Sequence, residues 1–199
     1  MLGFGVLLVS VQLISAEVIN DDKCGINKEL EDLQFSTRIA GGRKSDGLAT
    51  WPWACSLGFG FENNNTWTHA CGATLITPKH ALTAAHCPTR FLAGSKPKVW
   101  ELKIRCGDFD LKNDTDNSEV QIRSFSDYKN HEKYEHNDAH FVIFILYIQT
   151  PFKVNRFVRT ICLQSPMPIE KEGTVIVVGW GLDENYEHGN ELKETTMQI

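Results

Sequence analysis

Apolar residues in this chain arrive in short bursts separated by turn-forming clusters. The bursts read WACSLGFGF, CGATLI, VWELKIRC, EVQIRSF, FVIFILYI and TVIVVGW, and Val, Ile, Phe and Trp dominate them. β-Branched and aromatic side chains fit a pleated, half-buried surface and lose rotamer freedom in a helix. No segment past the N-terminus holds a helical period for more than a few turns. Short strands bounded by turns, with no long helices between them, predict an all-β barrel or sandwich. Residues 82–86 are expected as a short helix with Thr83 as its cap. The stretch from 151 to about 171, containing Pro166 and Pro168, reads as a connector between two substructures.

Composition closes off other classes. At 42% hydrophobic and 23% charged the chain can bury a core. A net charge of −5, without a cluster of Lys and Arg, gives no footprint for nucleic acid. The uncharged run MLGFGVLLVSVQLISA matches the apolar region of a secretory signal and is short for a membrane span. Residues 1–16 are therefore read as a signal peptide cut before Glu17, and the protein as secreted, extracellular and free of the membrane. Its six cysteines, Cys24, Cys55, Cys71, Cys87, Cys106 and Cys162, are even in number, which behind a signal favours disulfides. No C-x-x-C pair suggests zinc, and no metal is expected. Asn64 and Asn113 begin glycosylation acceptor tripeptides. Residues 17–38 are polar and read as a propeptide, ahead of one domain over 39–199.

A series of motifs then falls in order: Arg38-Ile39-Ala40-Gly41-Gly42, Trp51-Pro52-Trp53, Cys71-Gly72 before Leu75-Ile76, Thr83-Ala84-Ala85-His86-Cys87, Ile161-Cys162-Leu163 and Gly179-Trp180-Gly181. Together they resemble the trypsin-like (chymotrypsin-fold) serine peptidases, from Arg38 to the last residue. The resemblance implies a double β-barrel, with the first barrel complete and the second truncated. It makes His86 the general base that takes a proton from a nucleophilic serine and returns one to the leaving group. It also implies a Cys71–Cys87 bridge beneath the histidine. Arg38-Ile39 resembles a zymogen cleavage site, cut by an activating protease, with Cys24 bridged to Cys162 so that the propeptide stays tethered. Cys55 and Cys106 are expected on neighbouring strands, either bridged or as two buried thiols.

Two features depart from the family pattern. The triad aspartate is matched in text by Asn137-Asp138-Ala139, but spacing counted back from Pro151 puts Val142 in its place. An even shift keeps the same strand face, so alternation does not choose between Asp138 and Val142. His131, His136 and His140, with Glu132 and Glu135, read as a solvated loop. The acidic residues Asp108, Asp110, Asp114, Asp116 and Glu119 do not clearly match a calcium loop. The second departure is the nucleophile, since no Gly-Asp-Ser-Gly-Gly segment occurs before the chain stops at ELKETTMQI. The chain reads as a fragment of a secreted serine endopeptidase precursor, inactive as written, with protein or peptide substrates and no cofactor. The alternative is a non-catalytic homologue that serves as a binding module.

Overall fold

The computed structural model describes residues 17–18, 20, 23–26, 43–45, 49–61, 66–88, 102–113, 119–135, 142–165, 173–181 and 189–198. Its strands are β1 (Glu17–Val18), β2 (Arg43–Lys44), β3 (Ala54–Phe61), β4 (Thr66–Thr77), β5 (His80–Ala84) and β6 (Lys103–Cys106), then β7 (Gln121–Asn130), β8 (Ile143–Ile148), β9 (Gln164–Ser165), β10 (Thr174–Gly179) and β11 (Lys193–Gln198). The architecture is nearly all β, as the apolar bursts predict, and no helix among the described residues is long and apolar enough to cross a membrane.

Six strands close into an antiparallel barrel in the order β3-β4-β5-β8-β7-β6. Alternation supplies the core. The pairs Ala81↔Leu146 and Thr83↔Phe144 point inward, while Leu82↔Ile145 and Ala84↔Ile143 point outward. Leu57, Leu75, Leu102, Ile104, Phe144 and Leu146 are wholly buried inside. The expected helix at 82–86 is a strand instead up to Ala84, because β8 pairs with its backbone; only residues 86–88 turn helically. Thr83 caps nothing: its hydroxyl donates to the Gly72 carbonyl at 2.8 Å and ties β5 to β4.

The second unit is an open three-stranded sheet, β10-β11-β2. One face, with Ile176 and Val178, packs on a cluster of Trp51, Trp53, Phe109, Leu111, Trp180 and Leu192. Polar atoms cross the same seam. The Trp51 indole donates to the buried Glu194 carboxylate at 2.6 Å, and the Trp180 indole to the Phe109 carbonyl at 2.9 Å. The opposite face leaves Val175, Val177 and Met197 exposed. A second barrel is thus begun and remains partial.

Disulfides join Cys24–Cys162, Cys55–Cys106 and Cys71–Cys87, and no described cysteine is free. Cys55 and Cys106 are direct partners in the β3–β6 register, which brings their Cα atoms to 4.4 Å. The choice between a bridge and two thiols is resolved as a bridge. Just beyond Cys106, Gly107 adopts φ 77°, a left-handed turn that costs other residues strain. The turn carries Asp108 back onto the Arg105 guanidinium, and both side chains are buried.

Two stability outcomes follow from this region. Replacing Cys55 and Cys106 together by alanine releases a loop of 51 residues. Chain entropy puts the loss at about 4 kcal/mol, read as a lower urea midpoint with the other bridges intact. Arg105→Met leaves a buried carboxylate without its cation and should cost about 3–5 kcal/mol; adding Asp108→Leu should return most of it. Equal stability of Arg105→Met and parent would show that the pair does not neutralise Asp108.

Candidate active site

His86 stands at the rim of the barrel, just past the end of β5. The residues around it are anchored and the histidine is not. Ala85, Cys87 and Pro88 are buried, whereas the His86 side chain is exposed. Three ties hold the turn in place. The Cys71–Cys87 bridge links it to β4 across a Cα separation of 6.1 Å. Thr83 reaches the Gly72 carbonyl from the strand below. The Ala85 N–H donates to the Val142 carbonyl at 2.9 Å, continuing the β5–β8 ladder by one rung. Ala85 in this run is wholly buried between the last rung of β5 and the bridged Cys87. An imidazole so placed is accessible to a substrate and fixed at its base, as a proton-transferring group must be.

Val142 lies half-buried where β8 begins, opposite Ala85 and one position from the histidine's own rung. Asp138 lies outside the described residues, as do Arg38, Ile39 and Asn64. Among the described residues none hydrogen-bonds to the His86 ring. A ring nitrogen of His86, Cys71 Sγ and Cys87 Sγ lie within 4.8 Å of one another. The two sulfurs are bonded to each other, so they are not the thiolates that a zinc site requires.

A second serine–histidine pair was not anticipated from the sequence. Ser56 Oγ sits 2.7 Å from His69 Nδ1 and accepts the Trp67 indole N–H at 2.8 Å. Ser56 is wholly buried, so it cannot attack a substrate. Its hydroxyl satisfies two ring nitrogens that β3–β4 pairing brings to the barrel flank. The two residues stand 13 apart on consecutive strands and outside any motif, so only the strand register reveals them.

The acidic segment after β6 is engaged internally. Asp108 pairs with Arg105, Asp110 Oδ1 accepts from the Lys112 N–H at 3.1 Å, and Glu119 accepts from the Asn155 amide at 2.9 Å. Asp114 and Asp116 lie outside the described residues. His131 also serves local structure, accepting the Lys133 N–H at 3.2 Å on Nδ1; His136 and His140 lie outside the described residues. Asn113 is exposed beside that acidic turn.

Comparison with known proteins agrees with the barrel. The family described as Trypsin matches residues 39–199. The chain is 28% identical to clotting factor C of Tachypleus tridentatus over 156 residues, covering 76% of this chain and 15% of that protein. It is 28% identical to transmembrane protease serine 11G of Rattus norvegicus over 186 residues, covering 92% of this chain and 40% of that one. Against chymotrypsin-C of Rattus norvegicus it is 29% identical over 155 residues, covering 74% and 51%. The chain therefore spans between about one-seventh and one-half of the length of these relatives. With the family matched over most of its length and the closed barrel carrying TAAHC at its rim, this chain belongs to the trypsin family of serine peptidases.

Proposed function

We propose that this chain is the N-terminal part of a secreted trypsin-like endopeptidase precursor, with His86 as general base. The observation that carries the reading is the exposed imidazole on a turn whose flanking residues are buried and bridged. In this reading the complete gene product supplies a nucleophilic serine from beyond Ile199. His86 accepts the hydroxyl proton as the serine oxygen bonds to the scissile carbonyl carbon, then gives it to the departing amine. Asp138 orients the imidazole in the necessary tautomer. The substrates are proteins or peptides. Residues 1–16 act as the secretory signal, residues 17–38 as a tethered propeptide, and 39–199 as the beginning of the peptidase domain. An activating protease cuts between Arg38 and Ile39. Asn64 and Asn113 are glycan acceptors, and exposure of Asn113 supports the second.

One observation favours a second reading. Val142 takes up the rung beside the histidine turn with an aliphatic side chain, where orientation of the imidazole calls for a carboxylate. A homologue that had lost its triad would keep the barrel and use it to bind a partner.

The test uses the product of the complete transcript. Trypsin treatment should expose a new N-terminus reading IAGGRK, and the cleaved protein should hydrolyse a peptide ester. Asp138→Asn should lower kcat by about 10⁴-fold, through loss of the correct tautomer. His86→Ala should abolish turnover above the same residual level. Full activity in Asp138→Asn would remove Asp138 from the triad. A folded, cleaved product with no turnover would decide for the binding module.

A further inference from the structure

The segment upstream of Cys24 does more than carry a bridge. Its contacts follow the connector in antiparallel order. Glu17 pairs with Ser165 and Val18 with Gln164 as β1 and β9. Asn20 comes next. Its Nδ2 donates to the Ile76 and Ile161 carbonyls, both at 2.7 Å, and its Oδ1 accepts the Leu163 N–H at 2.9 Å. Cys24 is bridged to Cys162, and the Gly25 N–H donates to the Thr160 carbonyl at 2.8 Å. Gly25 has φ 65°, and a Cβ there would lie 2.9 Å from Cys162 Sγ, so the chain turns tightly over the bridge.

Asn20 is the junction of this arrangement. A carboxamide offers two donor hydrogens and one acceptor oxygen, and all are used here. Ile76 belongs to β4 of the barrel, whereas Ile161 and Leu163 belong to the connector that leads to the second sheet. One side chain thus bonds three backbone groups on two segments, beside the backbone bond, Ile161 N–H to the Leu75 carbonyl at 3.0 Å, that also joins them. A carboxylate of the same shape would lose both donors and oppose two carbonyl oxygens. A serine is too short to reach three groups.

We propose that residues 17–18, 20 and 23–26 form a docked strap seated on connector residues 160–165, and that Asn20 is its positioning residue, fixing the connector to the barrel independently of the Cys24–Cys162 bridge. The seat takes an extended strand with a carboxamide two residues beyond its paired portion, a form of β-strand addition. The inference goes beyond the peptidase reading and holds whether or not Arg38 is cleaved. Its consequence for a cleaved chain is that the N-terminal piece stays ordered on the connector and does not swing on its disulfide.

Amide hydrogen exchange on the full chain tests this, read at Leu163, with Leu146 inside the barrel as control. With all bridges intact, Asn20→Ala should speed exchange at Leu163 about tenfold or more, as expected for loss of its acceptor, with Leu146 unchanged. Cys24→Ala with Cys162→Ala, keeping Asn20, should leave Leu163 slow. If Asn20→Ala also loosens Leu146, Asn20→Asp separates the cases. It retains an oxygen for Leu163 but loses both donors, so Leu163 should speed up while Leu146 stays slow. Unchanged Leu163 exchange in Asn20→Asp would overturn the proposal. So would a bridge-free variant that exchanges at Leu163 as fast as Asn20→Ala.

Discussion

Closure of the β3-β4-β5-β8-β7-β6 ring is the constraint on which the rest depends. In a closed antiparallel barrel each backbone edge is already paired, so no strand can slide without breaking its neighbours' ladders. The register of β5 against β8 then decides where β5 must stop and which residue leaves the barrel first. Ala85 before it is buried because its N–H still continues the wall, and Cys87 after it is buried because its bridge holds it to β4. His86 is exposed because it follows the wall's last rung. The segments that enter β3 and leave β6 supply Trp51, Trp53 and Phe109 as an apolar platform, and the open second sheet rests on it. The second unit therefore borrows its stability from the first: its own strands cover only one of their two faces.

Polar chemistry in the interior is assigned to architecture. Arg105–Asp108, Glu194 with the Trp51 indole, and Ser56 with the half-buried His69 and Trp67 are groups that find partners nearby. Burying such groups alone would be costly, and pairing them fixes how loops and sheets meet. Each sits at a junction: a turn leaving β6, the seam between the two units, and the flank where β3 meets β4. His86, proposed for proton transfer, is by contrast exposed.

The sequence shows the strands plainly where short β-branched and aromatic runs stand between turns, as in FVIFILYI and TVIVVGW, because such side chains suit a pleated, half-buried surface. It misleads over residues 82–86, where Leu, Thr and two alanines suit a helix as well as a strand. Pairing with β8 decides there, and a partner strand distant in sequence leaves no local trace. The Cys55–Cys106 bridge stays open for the same reason, since spacing does not carry register. The N-terminal strap is hidden more deeply. Its residues are polar, and what orders them is backbone pairing and one carboxamide, neither of which alters composition. The histidine turn is legible because it is a string of fixed text. The residue that orients the imidazole is less so, since it depends on a strand's starting point.

The three disulfides have one property that their individual geometry does not express. Their sequence spans are 16, 51 and 138 residues, and each lies wholly inside the next: 71–87 within 55–106 within 24–162. Concentric loops can close from the inside outward as a chain emerges, and no later bond has to thread an earlier loop. The innermost pair is complete once the histidine turn has been made. The middle pair requires only the first four barrel strands, β3 to β6, to have been made. The outermost must wait for the connector, at which point it locks a barrel already formed. The nesting thus allows oxidation of this chain to follow the order of its synthesis.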